Sequence, residues 1–364
     1  MKKVSRSQRF SEWKQRPAVT VGLDLGDRFI HYCRLQEDGE IMEQGRMPIT
    51  EKALRRHFEG EVRHRIAMEC GTHSPWISRL LTQLGHQVIV ANARKLESIT
   101  KNESKNDDRD AEMLSLLAYS DPRLLSPIQH RSVERQRDLN LIHVRDTLVR
   151  ARTMLVNAAR GLVKSAGGRL PKCSTESFAE HAFSALPAEL KPAITPLLEQ
   201  ITALTQQIGG LDLPIEKLAA RYPEIRLLRT APGVGPVVAA AYVLTLDRTD
   251  AVHNSRAAGA FLGLRPRQSQ SGDSDPQHRI TKTGNIYLRR LLVQAAQYVL
   301  GRFGPDSALR RWGLKLAASG GKRGKKRAIV AVARKLAVIL HCMWRTGQSY
   351  QSFPAPSATT AATA

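Results

Sequence analysis

Lys105-Asn-Asp-Asp-Arg-Asp-Ala111 (KNDDRDA) opens a segment, Asp110 to Tyr119, whose apolar residues recur at helical spacing: Ala111, Met113, Leu114, Leu116 and Leu117. Asp107 and Asp110 are three apart, so a helix places them on one face with Cβ atoms about 5–6 Å apart. Two carboxylates that close repel each other. A fold keeps them there to cap a helix and meet its dipole, or because a divalent cation sits between them. The second reading requires further carboxylates from elsewhere in the chain.

Two candidates lie in apolar strands upstream. Ala18 to Leu25 (AVTVGLDL) reads as a central strand, a near-continuous apolar run. Asp24 interrupts it and points to the face opposite Leu23 and Leu25. Phe29 to Leu35 and Ile41 to Met47 follow as strands, with a hairpin turn signal at Glu37-Asp38-Gly39 between them. Thr50 caps a helix to Phe58. Arg65 to Cys70 (RIAMEC) is a fourth strand, carrying Glu69. Ser74-Pro75 opens a helix that Gly85 ends, and Gln87 to Ala91 is a fifth strand. A three-strand meander followed by helix–strand–helix–strand–helix is the order of an RNase H-like α/β domain. In such a sheet the first and fourth strands are neighbours, so Asp24 and Glu69 meet, and the last helix brings Asp107 and Asp110 to them. Four oxygen ligands suit two Mg²⁺ or Mn²⁺ ions acting on a phosphodiester. Each acid alone has a plainer reading, as a turn or capping residue; Asp27 and Asp108 are read as solvent-facing neighbours.

The composition points the same way. The 364 residues carry a formal net charge of +23, with charged residues at 24%, which calls for a polyanionic partner such as nucleic acid. Aromatics are only 5%, which disfavours a base-stacking platform. Cys33, Cys70, Cys173 and Cys342 have no zinc-ligand spacing. No apolar signal core or spanning segment is read, so the expectation is a soluble intracellular protein with no membrane partner.

Past the first domain, Arg131 to Ser165 is a long charged helix with Leu139, Ile142, Leu148, Leu155 and Leu162 as its stripe. Ala193 to Ile208 repeats the style. An antiparallel coiled coil carrying dimer contacts and a helical bundle within one chain both fit. Pro232-Gly233-Val234-Gly235 is a tight turn before an apolar helix. It reads as a helix-hairpin-helix element whose Gly233 and Gly235 let backbone N–H groups approach a DNA phosphate, or as an ordinary helix connection. Phe261 to Asn285 is irregular and holds Ser269, Ser271 and Ser274 among Arg265, Arg267, Arg279 and Lys282. The helix after it carries Arg289 and Arg290. Gly320 to Lys326 (GGKRGKK) is a basic loop, and from residue 349 the tail has no core-forming pattern. The expected organisation is α/β plus α. It comprises an RNase H-like (RuvC-like) domain over 18–125, a helical coiled-coil middle over 126–222, a mostly helical domain with the helix-hairpin-helix-like motif over 223–348, and a disordered tail over 349–364.

Asp24 in GLDLG, Glu69 in AMECGTHSPW and K-x-D-x-x-D-A at Lys105–Ala111 resemble the DEDD domain of insertion sequence 110 family transposases, the kind guided by a bridge RNA. PGVGPVVAAAYV at Pro232–Val243 and SG…ITKTGNIYLRRLLVQAA at Ser271–Ala296 resemble the second domain of that family. The resemblance implies a transposase that cuts and rejoins donor and target DNA. Asp24, Glu69, Asp107 and Asp110 would hold Mg²⁺ (or Mn²⁺), and Ser271 would attack the phosphate to form a phosphoserine. It implies a structured bridge RNA as partner, a homodimer pairing into a tetramer on DNA, a composite site with acids and serine from different subunits, and a prokaryotic, nucleoid-associated cytoplasmic setting. Arg267, Arg279, Lys282, Arg289 and Arg290 are the candidate nucleic-acid contacts. On the residues alone, Ser269 and Ser274 remain alternatives to Ser271, and a RuvC-like nuclease using activated water remains the alternative mechanism.

Overall fold

The computed structural model describes residues 17–93, 106–271, 276, 278–319 and 321–354. The chain divides into two compact units, one ending at His130 and the other beginning at Arg131.

The first unit is built on a sheet of β1 (Thr20–Leu25), β2 (Phe29–Leu35), β3 (Ile41–Pro48), β4 (Arg65–Glu69) and β5 (Gln87–Ala91), in the order β3-β2-β1-β4-β5. The first three strands are antiparallel, while β4 runs parallel to both β1 and β5. Helices α1 (Glu51–Phe58), α2 (Ser74–Gln83) and α3 (Asp107–Ser120) cover it. β1 is apolar on both sides because both faces are covered. Val21, Leu23, Ile66 and Met68 pack on one face with Leu54 and Phe58 of α1 and Ile77 and Leu81 of α2. On the other face, Cys33 and Leu35 pack with Ala111 of α3, and Ala67, Ile89 and Ala91 with Leu114 and Ala118. Thr50 caps α1 by accepting from the Ala53 amide, Pro75 sits in the first turn of α2, and Gly85 ends that helix with φ at +94°.

Gly22 decides how close α3 comes. A Cβ there would lie 2.0 Å from the Ala111 carbonyl oxygen and 2.6 Å from the Ser115 nitrogen. Only glycine lets the helix backbone rest on the strand. At the far end of the same face, Arg65 is 1% exposed and donates to Gln87 Oε1 (2.6 Å) and to the Ala118 carbonyl (3.1 Å), satisfying its buried charge.

The second unit is helical: α4 (Val133–Ser165), α5 (Phe178–Ala185), α6 (Lys191–Arg221), α7 (Pro223–Leu228), α8 (Pro236–Leu246), α9 (Ala258–Phe261), α10 (Ile286–Leu300), α11 (Ala308–Ser319) and α12 (Gly324–Thr346). α4 and α6 pair antiparallel within the chain, since Asp138 meets Arg221, Arg145 meets Asp212 and Arg152 meets Thr205. Their seam differs from the expected heptad set. Leu139 and Ile142 are buried as expected, but the stripe then runs through Arg152, Val156, Ala159 and Val163, leaving Leu162 half exposed. The burial follows the 3.6-residue period of a straight helix. α8 is buried on every side from Ala239 to Leu246 and forms the centre of this core, with the Tyr242 hydroxyl donating to the Ala337 carbonyl at 2.7 Å.

Within two segments read as loose, the described residues make specific contacts. The basic glycine stretch begins α12 at Gly324, where a Cβ would meet the Ala317 carbonyl oxygen at 2.5 Å, so glycine seats the helix against α11. The tail is hydrogen-bonded to the helical body as far as Ser352, whose carbonyl accepts from the Ala308 amide, while the Tyr350 amide donates to Thr230 Oγ1. No described helix is long and apolar enough to cross a membrane.

Candidate active site

The four carboxylates come from β1, β4 and α3. Parallel register pairs Gly22 with Ala67 and Leu23 with Met68. Asp24 and Glu69 follow one residue on, at the carboxyl ends of adjacent strands and on the face that α3 covers. Asp24 is half-buried and Glu69 exposed. Both sit where the strands emerge, beyond the fully buried runs of β1 and β4. The crevice at the carboxyl ends of strands is where open α/β sheets bind ligands.

Helix geometry sorts the three aspartates of the first turn of α3. Asn106 caps that turn, its side chain accepting from the Asp108 amide. Residues four and seven apart stand in one column. Asp110 and Asp107 stand below Leu114, which packs against Ala67, Ile89 and Ala91 of β4 and β5. Asp108 stands below Glu112, which accepts from Gln44 of β3. Asp107 and Asp110 thus share the column of Leu114, and Asp108 stands in the neighbouring column. There it contacts His31, with Asp108 Oδ1 2.6 Å from His31 Nδ1. Asp108 is exposed as expected, but it has a partner.

His31 is the residue that sequence reasoning missed. It is the cross-strand partner of Asp24 on β2, and its Nε2 lies 3.8 Å from Asp107 Oδ2. Counting outward from the tight turn, where the Gly26 amide donates to the Phe29 carbonyl, would have paired 25 with 30 and 24 with 31. Among the described residues, no three His, Cys, Asp or Glu side chains gather into a group able to hold a metal ion. The donor set itself suits a hard divalent cation, being all carboxylate oxygen, and Asp107, 61% exposed, has room to change rotamer. Lys105 lies outside the described residues.

In the second unit, Ser271 is exposed. Two antiparallel arms flank it. The Arg267 amide donates to the Arg279 carbonyl, the Thr281 amide to Arg265 (both 2.9 Å), and the Lys282 amide to Gly263 (3.1 Å). Arg267, Arg279 and Lys282 are exposed or partly exposed along these arms, as is Ser269; Ser274 lies outside the described residues. Arg289 is turned inward: it is 9% exposed, and Nη1 donates to the Leu262 and Thr283 carbonyls. Arg290 ion-pairs with Asp146 and stacks on the Tyr287 ring. In the turn before α8, Gly233 adopts φ of +76° and lies against α10, where a Cβ would come 2.7 Å from the Ala295 carbonyl oxygen; Gly235 faces open space.

A sheet with acids at its strand ends, followed by a basic helical unit, matches known proteins over both parts. A family model described as Transposase IS116/IS110/IS902 family matches residues 225–311, and a DEDD-type transposase model matches residues 21–167. The chain is 25% identical over 364 residues to the transposase for insertion sequence element IS1111A of Coxiella burnetii, covering 96% of this chain and 97% of that one. It is 31% identical over 243 residues to a probable family 20 transposase of Pseudomonas aeruginosa, covering 65% and 71%. A putative transposase of Sinorhizobium fredii is 30% identical over 316 residues, covering 84% and 80%. These likenesses define the class: an insertion-sequence transposase, an enzyme acting on DNA. Within that class, the chain belongs to the IS116/IS110/IS902 family.

Proposed function

We propose that this transposase cuts and rejoins donor and target DNA through a serine nucleophile, assisted by Mg²⁺ or Mn²⁺ and guided by a structured bridge RNA. The observation that supports this site is the register of β1 and β4 under α3: Asp24 and Glu69 end neighbouring parallel strands, and Gly22 seats against β1 the helix whose first turn bears Asp107 and Asp110. That strand order supports an RNase H-like domain over 18–125. The paired α4 and α6 support a coiled-coil region over 126–222, and the turn at Gly233–Gly235 a helix-hairpin-helix-like element within a transposase domain over 223–348.

Asp24, Glu69, Asp107 and Asp110 are the residues that would hold the metal. When bound, it would polarise the scissile phosphodiester and steady the charge on attacking and leaving oxygens. Ser271 Oγ forms the bond to phosphorus and a deoxyribose oxygen leaves. Attack by a second strand's hydroxyl then releases the serine and rejoins the DNA. Exposed arginine and lysine on the flanking arms, Arg267, Arg279 and Lys282, counter the phosphate charge. The serine and the acids are assigned to different subunits of a dimer that pairs into a tetramer. The net charge of +23 suits the DNA and RNA partners, and nucleoid association in a prokaryotic cytoplasm follows from them.

The test is a denaturing gel of protein, the element's RNA, and labelled donor and target DNA with Mg²⁺. Wild type, Ser271→Ala and Asp24→Ala run side by side. A protease-sensitive shifted DNA band, absent in both variants, is the expected result. Cleaved DNA without a shift, persisting in Ser271→Ala, would replace the serine by activated water.

A further inference from the structure

The arms that flank Ser271 leave the helical body at one point, and that point is built unusually tightly. Gly263 has φ of +68°, and a Cβ on it would lie 2.1 Å from the Thr283 carbonyl oxygen. Gly284 has φ of +81°, and a Cβ on it would lie 2.1 Å from the Phe261 carbonyl oxygen. Each glycine therefore admits the backbone of the opposite arm. Between them Lys282, which is not glycine, adopts φ of +56°. Such backbone persists only where surrounding contacts fix it.

One side chain supplies that fixing contact. Arg289, in the first turn of α10, sends Nη1 to the Leu262 carbonyl of the outgoing arm and to the Thr283 carbonyl of the returning arm, each at 2.9 Å. A guanidinium is always charged and only donates. Buried to 9% exposure, it holds its place only by meeting acceptors such as these. Its neighbour Leu288 is anchored through the Asn285 cap, whose Oδ1 accepts from the Leu288 amide at 2.8 Å. The donor is thus mounted on a capped helix end.

We propose that Arg289 is a positioning residue for the transposition reaction: bridging Leu262 and Thr283, it clamps the base of the two arms and so sets the direction in which Ser271 is presented. This rests on the serine reading given above. It assigns Arg289 a role inside the protein, apart from the nucleic acid.

The experiment compares the full-length wild type with Arg289→Gln and Gly284→Ala. Amide hydrogen exchange is read at Arg267, Thr281 and Lys282, the three donors that join the arms. In the wild type these amides are protected; rapid exchange there would overturn the clamp with no variant needed. In each variant, exchange at these amides is expected to rise at least tenfold. Binding of labelled DNA should stay within about threefold, while single-turnover formation of the covalent protein–DNA band slows at least tenfold. Arg289→Lys, which keeps the charge and one donor centre, should recover part of that rate. Gly284→Ala loosens the same clasp without removing the buried cation, so it decides the matter if Arg289→Gln does not fold. Faster exchange with an unchanged rate of band formation overturns the positioning role. Absence of any covalent band from the wild type refutes the serine reading instead, and the exchange rates then decide the clamp separately.

Discussion

A methyl group at position 22 would sit 2.0 Å from the Ala111 carbonyl oxygen, well inside contact distance, and the atom it meets is helix backbone that cannot swing away. Gly22→Ala should therefore lift α3 from β1, lowering stability by about 1–3 kcal/mol. Strand transfer should fall with it, because Asp107 and Asp110 ride on that helix; urea unfolding followed alongside a strand-transfer assay would show both. The aspartate columns give a second prediction at the same scale. Asp107→Asn and Asp110→Asn should each abolish Mg²⁺-dependent strand transfer. Asp108→Asn, which keeps an oxygen acceptor for His31, should retain activity within about tenfold of wild type. Equal loss in all three would overturn the assignment of Asp107 over Asp108.

The antiparallel pair α4–α6 turns on Asp138, 6% exposed, which accepts from Arg221 Nη1 at 2.8 and 2.7 Å and from the Tyr222 hydroxyl at 2.6 Å. Burial, reinforced by the Asp138 bond, pushes the Tyr222 phenol up to about 12. Tyr222→Phe leaves a buried carboxylate one donor short and should cost about 1.5–3 kcal/mol. Arg221→Ala, although its side chain is 60% exposed, takes both bonds and the counter-charge from the same buried carboxylate and should cost at least as much. Thermal melts of the two variants give the comparison. Elements were the most legible scale. All five strands and the helices around them were readable from period and turn chemistry, and the adjacency of Asp24 and Glu69 followed from the strand order alone. What escaped depended on packing between elements. The heptad reading of α4 missed Val156, Ala159 and Val163 because the period drifts from 3.5 to 3.6. Arg289 was read as a surface cation because it is charged, although it stands three residues before buried Leu292, on the buried stripe of α10. His31 was hidden because cross-strand partners are set by a turn, not by neighbouring sequence.

For the molecule as a whole, charge governs association. With a net charge of +23, DNA affinity should fall by about 10³–10⁵ between roughly 50 and 200 mM salt if about 6–10 phosphates are neutralised. Filter binding across that range would measure the slope, and a flat slope would contradict phosphate-dominated contact. Stability should also depend on pH through His64. It is buried beside the stacked ring of His86, with Nδ1 unpartnered among the described residues, and burial followed by the His86 charge lowers it to about 4. The unfolded chain protonates this residue first, near pH 6.5. Stabilisation of the first unit is therefore complete above about 6.5 and is lost as pH falls toward 4, by on the order of 3 kcal/mol. His64→Gln should flatten urea midpoints across that window.

The close seat of α3 on Gly22 bears on how such elements die in genomes. Every glycine codon becomes an alanine codon by one base change. A copy can thus lose its enzyme at a position with no reactive atom, while Asp24, Glu69, Asp107, Asp110 and Ser271 all stay intact. A census that scores copies as live by these proposed catalytic letters would count such relics among the living; reading position 22 as well would separate them.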